Sequence, residues 1–180
     1  MRSDAVTQVK LLRISMCCCM AILMVAGCKR PSPNSNSMEN DIASLFSEFA
    51  GAEWGNATLR DILAKNGQGK KIEGNNLLGY RASIGGKRFT KIYAFNREKN
   101  TVSHVTFTNT GLLADIYGRS APISQEEIER FKSYALEQIE SQGGNVRNPM
   151  IDNYIVKAEH YTLIMIFGKG GAMLTFFISG

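Results

Sequence analysis

The chain has 180 residues, of which 44% are hydrophobic and 21% are charged, values that are ordinary for a globular protein. Its formal net charge is +5. Residues 1–27 carry +2 of this charge, which leaves +3 for residues 28–180. That excess is too small for the dense basic stripe of a nucleic-acid-binding protein, so we exclude nucleic acid as a partner.

The first 28 residues hold all four cysteines of the chain: Cys17, Cys18, Cys19 and Cys28. The remainder therefore contains no disulfide, thiol nucleophile or thiolate metal ligand. Lys10 and Arg13 precede a continuous apolar run from Ile14 to Ala26. Spanning a bilayer takes about 20 apolar residues, which this run does not reach. A positive flank before a short apolar run predicts a secretory signal instead.

The apolar run ends in Val25-Ala26-Gly27-Cys28. This ending resembles the lipobox of bacterial lipoproteins, and the resemblance covers the first 28 residues only. It implies that Cys28 receives a diacylglyceryl group, that residues 1–27 are then cleaved off, and that the new amino terminus is acylated, for example with palmitate. Lys29 stands where an aspartate often retains such proteins at the inner membrane. For a Gram-negative cell the resemblance therefore implies an outer-membrane protein facing the periplasm. A plain signal peptide with a chance cysteine is the alternative.

Residues 28–37 are polar and contain two prolines, which predicts a flexible tether before one globular domain over residues 38–180. Three helices are expected in that domain. Met38–Ala50 carries an apolar stripe, Thr58–Lys65 begins at a Thr58–Asp61 capping box, and a third helix runs from a Ser124–Glu127 capping box to about Gln142. The inner stripe of the third helix is expected to comprise Ile128, Phe131, Ala135 and Ile139.

Five strands are expected from alternating or continuous apolar patterns: Leu77–Ile84, Lys87–Phe95, Thr101–Thr108, Asn153–Phe167 and Met173–Ser179. Gly85-Gly86 fits a two-residue hairpin turn, in which both residues need positive φ. The connection Asn109–Ile123 has enough apolar residues to contain a helical turn. The element order α-α-β-β-β-α-β-β predicts the α+β class, with an antiparallel sheet of about five strands and helices packed on one face.

Sequence signatures of catalysis are few. His104 and His160 are not in HxH or HExxH spacing, and we expect two ordinary strand histidines and no metal or cofactor. The motifs GxSxG and SxxK of serine nucleophiles are missing. The glycines around Lys169 lack the GxxxxGK[ST] pattern and fit a hairpin turn better.

Two surfaces are candidates for binding. One is the hairpin that carries Arg81, Lys87, Arg88 and Lys91, whose charge would attract lipid phosphates or an acidic protein partner. The alternative is an edge hairpin kept soluble by its charge. The other is the long connection with Asp115, Tyr117 and Arg119, because long loops often carry function and Tyr and Arg are favoured at interfaces. The alternative for this loop is that it packs its own apolar residues against the sheet.

The sequence thus predicts a protein-binding module, anchored to the membrane through a lipid on Cys28 and acting on an unidentified protein of the cell envelope. Assembly factors and inhibitor or immunity proteins fit this description by analogy. The alternative is an envelope hydrolase whose catalytic residues are dispersed along the chain.

Overall fold

The computed structural model describes residues 35–72, 76–118 and 120–179. The predicted signal segment 1–27, Cys28 and Arg119 lie outside them. The described elements in chain order are α1 Ser35–Phe49, α2 Leu59–Asn66, β1 Lys70–Ile72, β2 Leu77–Ile84, β3 Lys87–Phe95, β4 Val102–Thr108, α3 Gln125–Ser141, β5 Asn145–Met150, β6 Asn153–Lys157, β7 Tyr161–Gly168 and β8 Gly171–Ile178, with 3₁₀ turns at Ala52–Asn56 and Ala114–Tyr117. Among these described elements, no helix has both the length and the apolar character that crossing a membrane requires.

The described strands form a single antiparallel sheet in the order β1-β2-β3-β4-β8-β7-β6-β5. The α+β class and the antiparallel sheet are confirmed, but the prediction of about five strands is wrong, because the sheet has eight. The predicted strand Asn153–Phe167 is in fact two strands, β6 and β7, joined by a turn. β1 has only three residues, and β5 is a polar edge strand that contains Pro149, so neither carries an apolar pattern.

The sheet consists of two four-stranded meanders that meet in the middle. We call α1, α2 and β1–β4 the N-terminal half, and α3 and β5–β8 the C-terminal half. Thr106 of β4 lies opposite Thr175 of β8, and their hydroxyl oxygens are 3.0 Å apart. Because all neighbouring strands are antiparallel, a half-turn about an axis between these two residues brings each strand of one half onto a strand of the other. β4 then corresponds to β8, β3 to β7, β2 to β6 and β1 to β5.

Both long helices form because each has one apolar stripe, and both bury that stripe against the same face of the sheet. The residues of both apolar stripes are buried: Ile42, Leu45, Phe46 and Phe49 in α1, and the predicted Ile128, Phe131, Ala135 and Ile139 in α3. The predicted capping boxes at Thr58 and Ser124 are present. α1 begins at Ser35, so residues 35–37 of the predicted tether are helical.

Aromatic rings tie the helices to the sheet. Phe49 of α1 stacks on Phe176 of β8 with ring centroids 4.4 Å apart, and Phe131 of α3 lies 6.0 Å from Phe89 of β3. Each of these helices therefore contacts a strand of the opposite half. The two halves share one hydrophobic core rather than having one each.

Candidate functional site

The two faces of the sheet have different neighbours. Residues directly opposite each other on antiparallel strands point to the same face, so the register assigns every strand residue to a face. One face carries buried residues such as Tyr93, Val105, Phe176 and Leu163, and the helices cover it. We call the other one the open face. Its central row consists of Gly79, Ile92, Thr106, Thr175, Ile164, Ile155 and Arg147.

In the N-terminal half, the connection after β4 folds back over the open face. The hydroxyl of Thr90 donates a hydrogen bond to the carbonyl of Ala114 at 3.1 Å, and Lys70 Nζ donates to the carbonyl of Ile116 at 2.9 Å. Tyr117 donates its hydroxyl proton to the carbonyl of Gly79. Ile92 of this face is consequently only 2% exposed. The 3₁₀ turn Ala114–Tyr117 therefore acts as a cover for the N-terminal half of the open face.

In the C-terminal half, apolar side chains on the same face remain accessible. Phe177 is 41% exposed and Ile166 is 37% exposed, although both lie in the middle of the sheet. Three partly exposed neighbours on the same face are also apolar, Ile155, Ile164 and Met173, whereas Thr162 opposite Phe177 and Asn153 opposite Ile166 are polar. We call the following five residues the open patch: Ile155, Ile164, Ile166, Met173 and Phe177. Contiguous apolar groups of this kind on a protein surface mark interaction sites.

The half-turn that relates the two halves shows why only one of them is covered. Gly79 is the counterpart of Ile155, and Ala94 is the counterpart of Ile166. A Cβ at Gly79 would lie 3.8 Å from the ring of Tyr117. Gly79 therefore leaves room for the ring of Tyr117 in the N-terminal half, whereas the branched side chain of Ile155 fills the same position in the C-terminal half.

The charge on the open face has a single sign. None of the residues in the eight described strands is acidic. The register places five cationic residues on the open face: Lys70, Arg81, Arg88, Arg147 and Lys157. Two acidic residues lie at its borders, Asp115 in the cover and Glu159 in the turn between β6 and β7. The open face is therefore an apolar surface with a cationic frame.

The structure brings part of the two predicted binding surfaces together. The guanidinium of Arg81 lies 5.3 Å from the ring centre of Tyr117, and the hydroxyl of Ser120 donates to the carbonyl of Arg88. Arg81, Arg88 and Tyr117 therefore belong to the open face and its cover. Asp115 is exposed on the same turn. Lys87 is separate from this group, because it points to the helix side and pairs with Glu127 at 3.1 Å. The prediction that Lys91 belongs to this surface is wrong, because Lys91 is buried on the helix side and pairs with Glu48.

The two histidines have different settings. His104 lies on the open face, 5.2 Å from the ring of Phe177, and burial lowers the pKa of its imidazole. Its side chain lies on the face opposite to those of Val105 and Phe107. The prediction of a strand position is wrong for His160, which lies in the turn between β6 and β7 with Nε2 at 3.9 Å from the carboxylate of Glu159. In the described part of the chain, no group of three or more His, Cys, Asp or Glu side chains is arranged to hold a metal ion.

The helix side of the N-terminal half contains one buried ion pair. Lys91 Nζ donates to both carboxylate oxygens of Glu48, at 2.8 and 2.9 Å. The ammonium group lies within 6.0 Å of the ring centres of Phe49, Trp54, Tyr93 and Phe107. Burial lowers the pKa of Lys91, and the hydrogen bonds to Glu48 oppose that shift. The pair lies beside a cavity of about 390 Å³ between α1 and β2.

The open patch is not among the surfaces predicted from the sequence, although β7 contains a signal for it. A strand with one solvated face alternates apolar and polar residues, whereas Leu163 to Phe167 are apolar without interruption. Such a run is typical of a strand that is covered on both faces. In β7 only one face is covered, so the surplus apolar residues are the ones that form the open patch.

Comparisons with known proteins provide little further information. No family model and no curated protein matches the chain. One solved structure is similar, a crystal structure of a DUF4309 family protein, YjgB, from Bacillus subtilis. The similarity covers 79% of this chain and 96% of that one, with 12% sequence identity and a TM-score of 0.41. At these values it supports no conclusion about function.

Proposed function

We propose that this chain is a lipid-anchored protein-binding module of the cell envelope, which contacts its partner through the open face. The observation that carries the binding role is the open patch. Ile166 and Phe177 keep more than a third of their surface in contact with solvent in the middle of an eight-stranded sheet. Fully burying one such side chain contributes about 1.5–3 kcal/mol, so covering the open patch would favour association.

The anchor is proposed from the sequence alone. Val25-Ala26-Gly27-Cys28 follows a positively charged flank and a short apolar run. Lipidation of Cys28 would hold the domain at a membrane surface, outer or inner, through a short polar tether. Replacing Cys28 with Ala is expected to abolish incorporation of a labelled fatty acid and to leave residues 1–27 uncleaved. Unchanged labelling of that variant would contradict the anchor.

The binding role is tested by site-specific crosslinking of the full chain in living cells. A photoreactive residue replaces Ile164 in the centre of the open patch. The matched control carries it at Ser133, an exposed residue of α3. We expect a discrete protein adduct from position 164 that is absent from position 133.

Two variants show whether the adduct depends on the open patch. Ile166→Ser and Phe177→Ser each remove apolar surface that is already partly exposed, so folding is expected to survive. Both are expected to reduce the adduct formed at position 164. Equal adducts at positions 164 and 133, insensitive to these changes, would contradict the binding role.

A further inference from the structure

The cationic residues of the open face correspond to one another across the two halves. The half-turn that relates the halves pairs Lys70 with Arg147, and Arg81 with Lys157. The same positions therefore carry positive charge in both halves, although their neighbours differ. The open face has the same cationic frame on both sides of its centre.

The N-terminal half shows what this frame binds. Lys70 Nζ donates to the carbonyl oxygen of Ile116 at 2.9 Å, and Arg81 lies against the aromatic ring of Tyr117. The cover thus presents an acceptor oxygen to one cation and a π-face to the other, which are the two groups that cationic side chains favour. It is an internal example of a chain segment bound to this face.

The C-terminal half has the same frame without a cover. Arg147 and Lys157 are exposed, and in the part of the chain that the structure describes neither forms an ion pair. The open patch lies directly beside them, since Ile155 is opposite Arg147 and Ile164 is opposite Ile155. An occupant must therefore bury apolar side chains and offer acceptors to two cations at once.

Resting on the proposed function, we infer that the partner presents a protein segment with an aliphatic or aromatic centre and carboxylates at its flanks. The apolar centre covers the open patch, and the carboxylates pair with Arg147 and Lys157. Carboxylates satisfy this frame better than neutral acceptors, because they add a Coulombic attraction to both cations and can accept two hydrogen bonds from the guanidinium of Arg147. The absence of acidic residues from the described strands means that the face itself does not repel them.

A protein segment fits this face better than an anionic membrane does. The cover stands on the neighbouring half of the same face and carries the exposed carboxylate of Asp115. A flat anionic bilayer that approached the open patch would meet this carboxylate, and like charges repel. A narrow segment of a protein can reach the open patch beside the cover.

The test selects a random peptide library on the full chain, inserted in phosphatidylcholine nanodiscs. We expect enriched peptides with Phe, Trp, Leu or Ile between Asp or Glu residues. Replacing both cations, Arg147→Glu with Lys157→Glu, is expected to weaken binding of these peptides about 10-fold or more, because it puts like charges together. The control is Arg97→Glu with Lys99→Glu in the exposed turn before β4, which changes the net charge equally and is expected to alter binding less than about 2-fold.

The outcomes separate this inference from the proposed function. If enriched peptides are neutral or basic and are lost in Phe177→Ser, the open face binds proteins but the inference of an acidic partner is wrong. If no peptide is enriched, or if Phe177→Ser leaves peptide binding unchanged, both the proposed binding role and the inference of an acidic partner are wrong. Binding of phosphatidylglycerol vesicles that requires Phe177 would replace the protein partner with a membrane. Circular dichroism of each variant checks that it is folded. If the variant with Arg147→Glu and Lys157→Glu is unfolded, the variant with Arg147→Gln and Lys157→Gln takes its place.

Discussion

The N-terminal and C-terminal halves of this molecule share strand order and register but differ at equivalent positions on both faces of the sheet. On the open face, Gly79 admits a cover in one half, whereas Ile155 contributes to an exposed apolar patch in the other. On the helix side, the buried cation Lys91 corresponds to the buried Leu163. Equivalent positions of the two halves therefore carry opposite chemistry on both faces of the sheet.

The largest expected effect concerns the side chain that joins the halves. Phe176 of β8 is fully buried against Phe46 and Phe49 of α1, so Phe176→Ala leaves a cavity shared by both halves. We expect it to lower the free energy of unfolding by about 3–5 kcal/mol. Urea denaturation followed by circular dichroism measures this and is expected to show one transition.

The neighbouring residue on the other face provides the matched control. Phe177 is 41% exposed on the open face, so Phe177→Ala is expected to cost less than about 1 kcal/mol. Two separate transitions in Phe176→Ala would show that each half folds independently. An equally large loss in Phe177→Ala would show that the open patch is covered within the chain itself.

The second prediction places the residue of one half in the other. Lys91→Leu introduces the counterpart side chain, and Glu48 keeps its other neighbour Lys65 at 3.4 Å. We expect a change within about 1 kcal/mol, because apolar residues often replace buried ion pairs without loss. Glu48→Ala instead removes the carboxylate partner of Lys91, whose side chain is only 11% exposed, and is expected to cost about 2–4 kcal/mol. A larger loss in Lys91→Leu than in Glu48→Ala, in the same denaturation experiment, would overturn this asymmetry.

Local patterns were sufficient to predict much of the fold. The bounds of β2 and β3 follow from alternation and from Gly85-Gly86, whose φ angles of 58° and 72° are those of the predicted turn. Capping boxes located α2 and α3. The strands that were not predicted, β1 and β5, lie at the two edges of the sheet. They form because they pair with a neighbouring strand, and their sequences carry no apolar pattern.

The candidate site was less accessible to sequence reasoning because it is assembled by long-range register. Arg81 and Tyr117 were singled out by residue type, and they do meet. The open patch draws its residues from β6, β7 and β8, and becomes visible only when the order of strands is known. The loop of Tyr117 covers one half and leaves the other open because Gly79 in one half is replaced by Ile155 in the other. The two residues are far apart in the sequence, so no local pattern reveals this correspondence.

The third prediction tests why the cover lies on one half only. Gly79→Ile introduces the counterpart side chain beneath Tyr117, where an added Cβ alone would reach van der Waals distance from the ring. We expect overpacking to cost about 1–3 kcal/mol. Gly79→Ala adds only that Cβ and is expected to change stability by less than about 1 kcal/mol.

A second substitution checks that the loss arises at the cover. Tyr117→Ala removes the ring, so combining it with Gly79→Ile is expected to cost less than the sum of the two single changes, by about 0.5–3 kcal/mol. Strict additivity in thermal or urea unfolding would show that the strain in Gly79→Ile lies elsewhere.

The smallest expected effect is the pH dependence contributed by His104, whose counterpart in the C-terminal half is Met173. Burial lowers the pKa of His104 below its ordinary value of 6.5 in the folded chain. At a pH between the lowered pKa of the folded chain and 6.5, the unfolded chain binds more protons than the folded chain, so a fall in pH favours unfolding. Above pH 6.5 the imidazole of His104 is neutral in both states, and its contribution to stability vanishes. His104→Met removes the titrating group and is expected to lose less stability than the wild type as the pH falls from about 7 to about 5. Urea denaturation at each pH measures this difference, with His160→Met as a control that leaves His104 in place. If the wild type and His104→Met lose equal stability over this range, His104 is protonated equally well in the folded and the unfolded chain. Its imidazole would then be more accessible to solvent on the open face than its contact with Phe177 indicates.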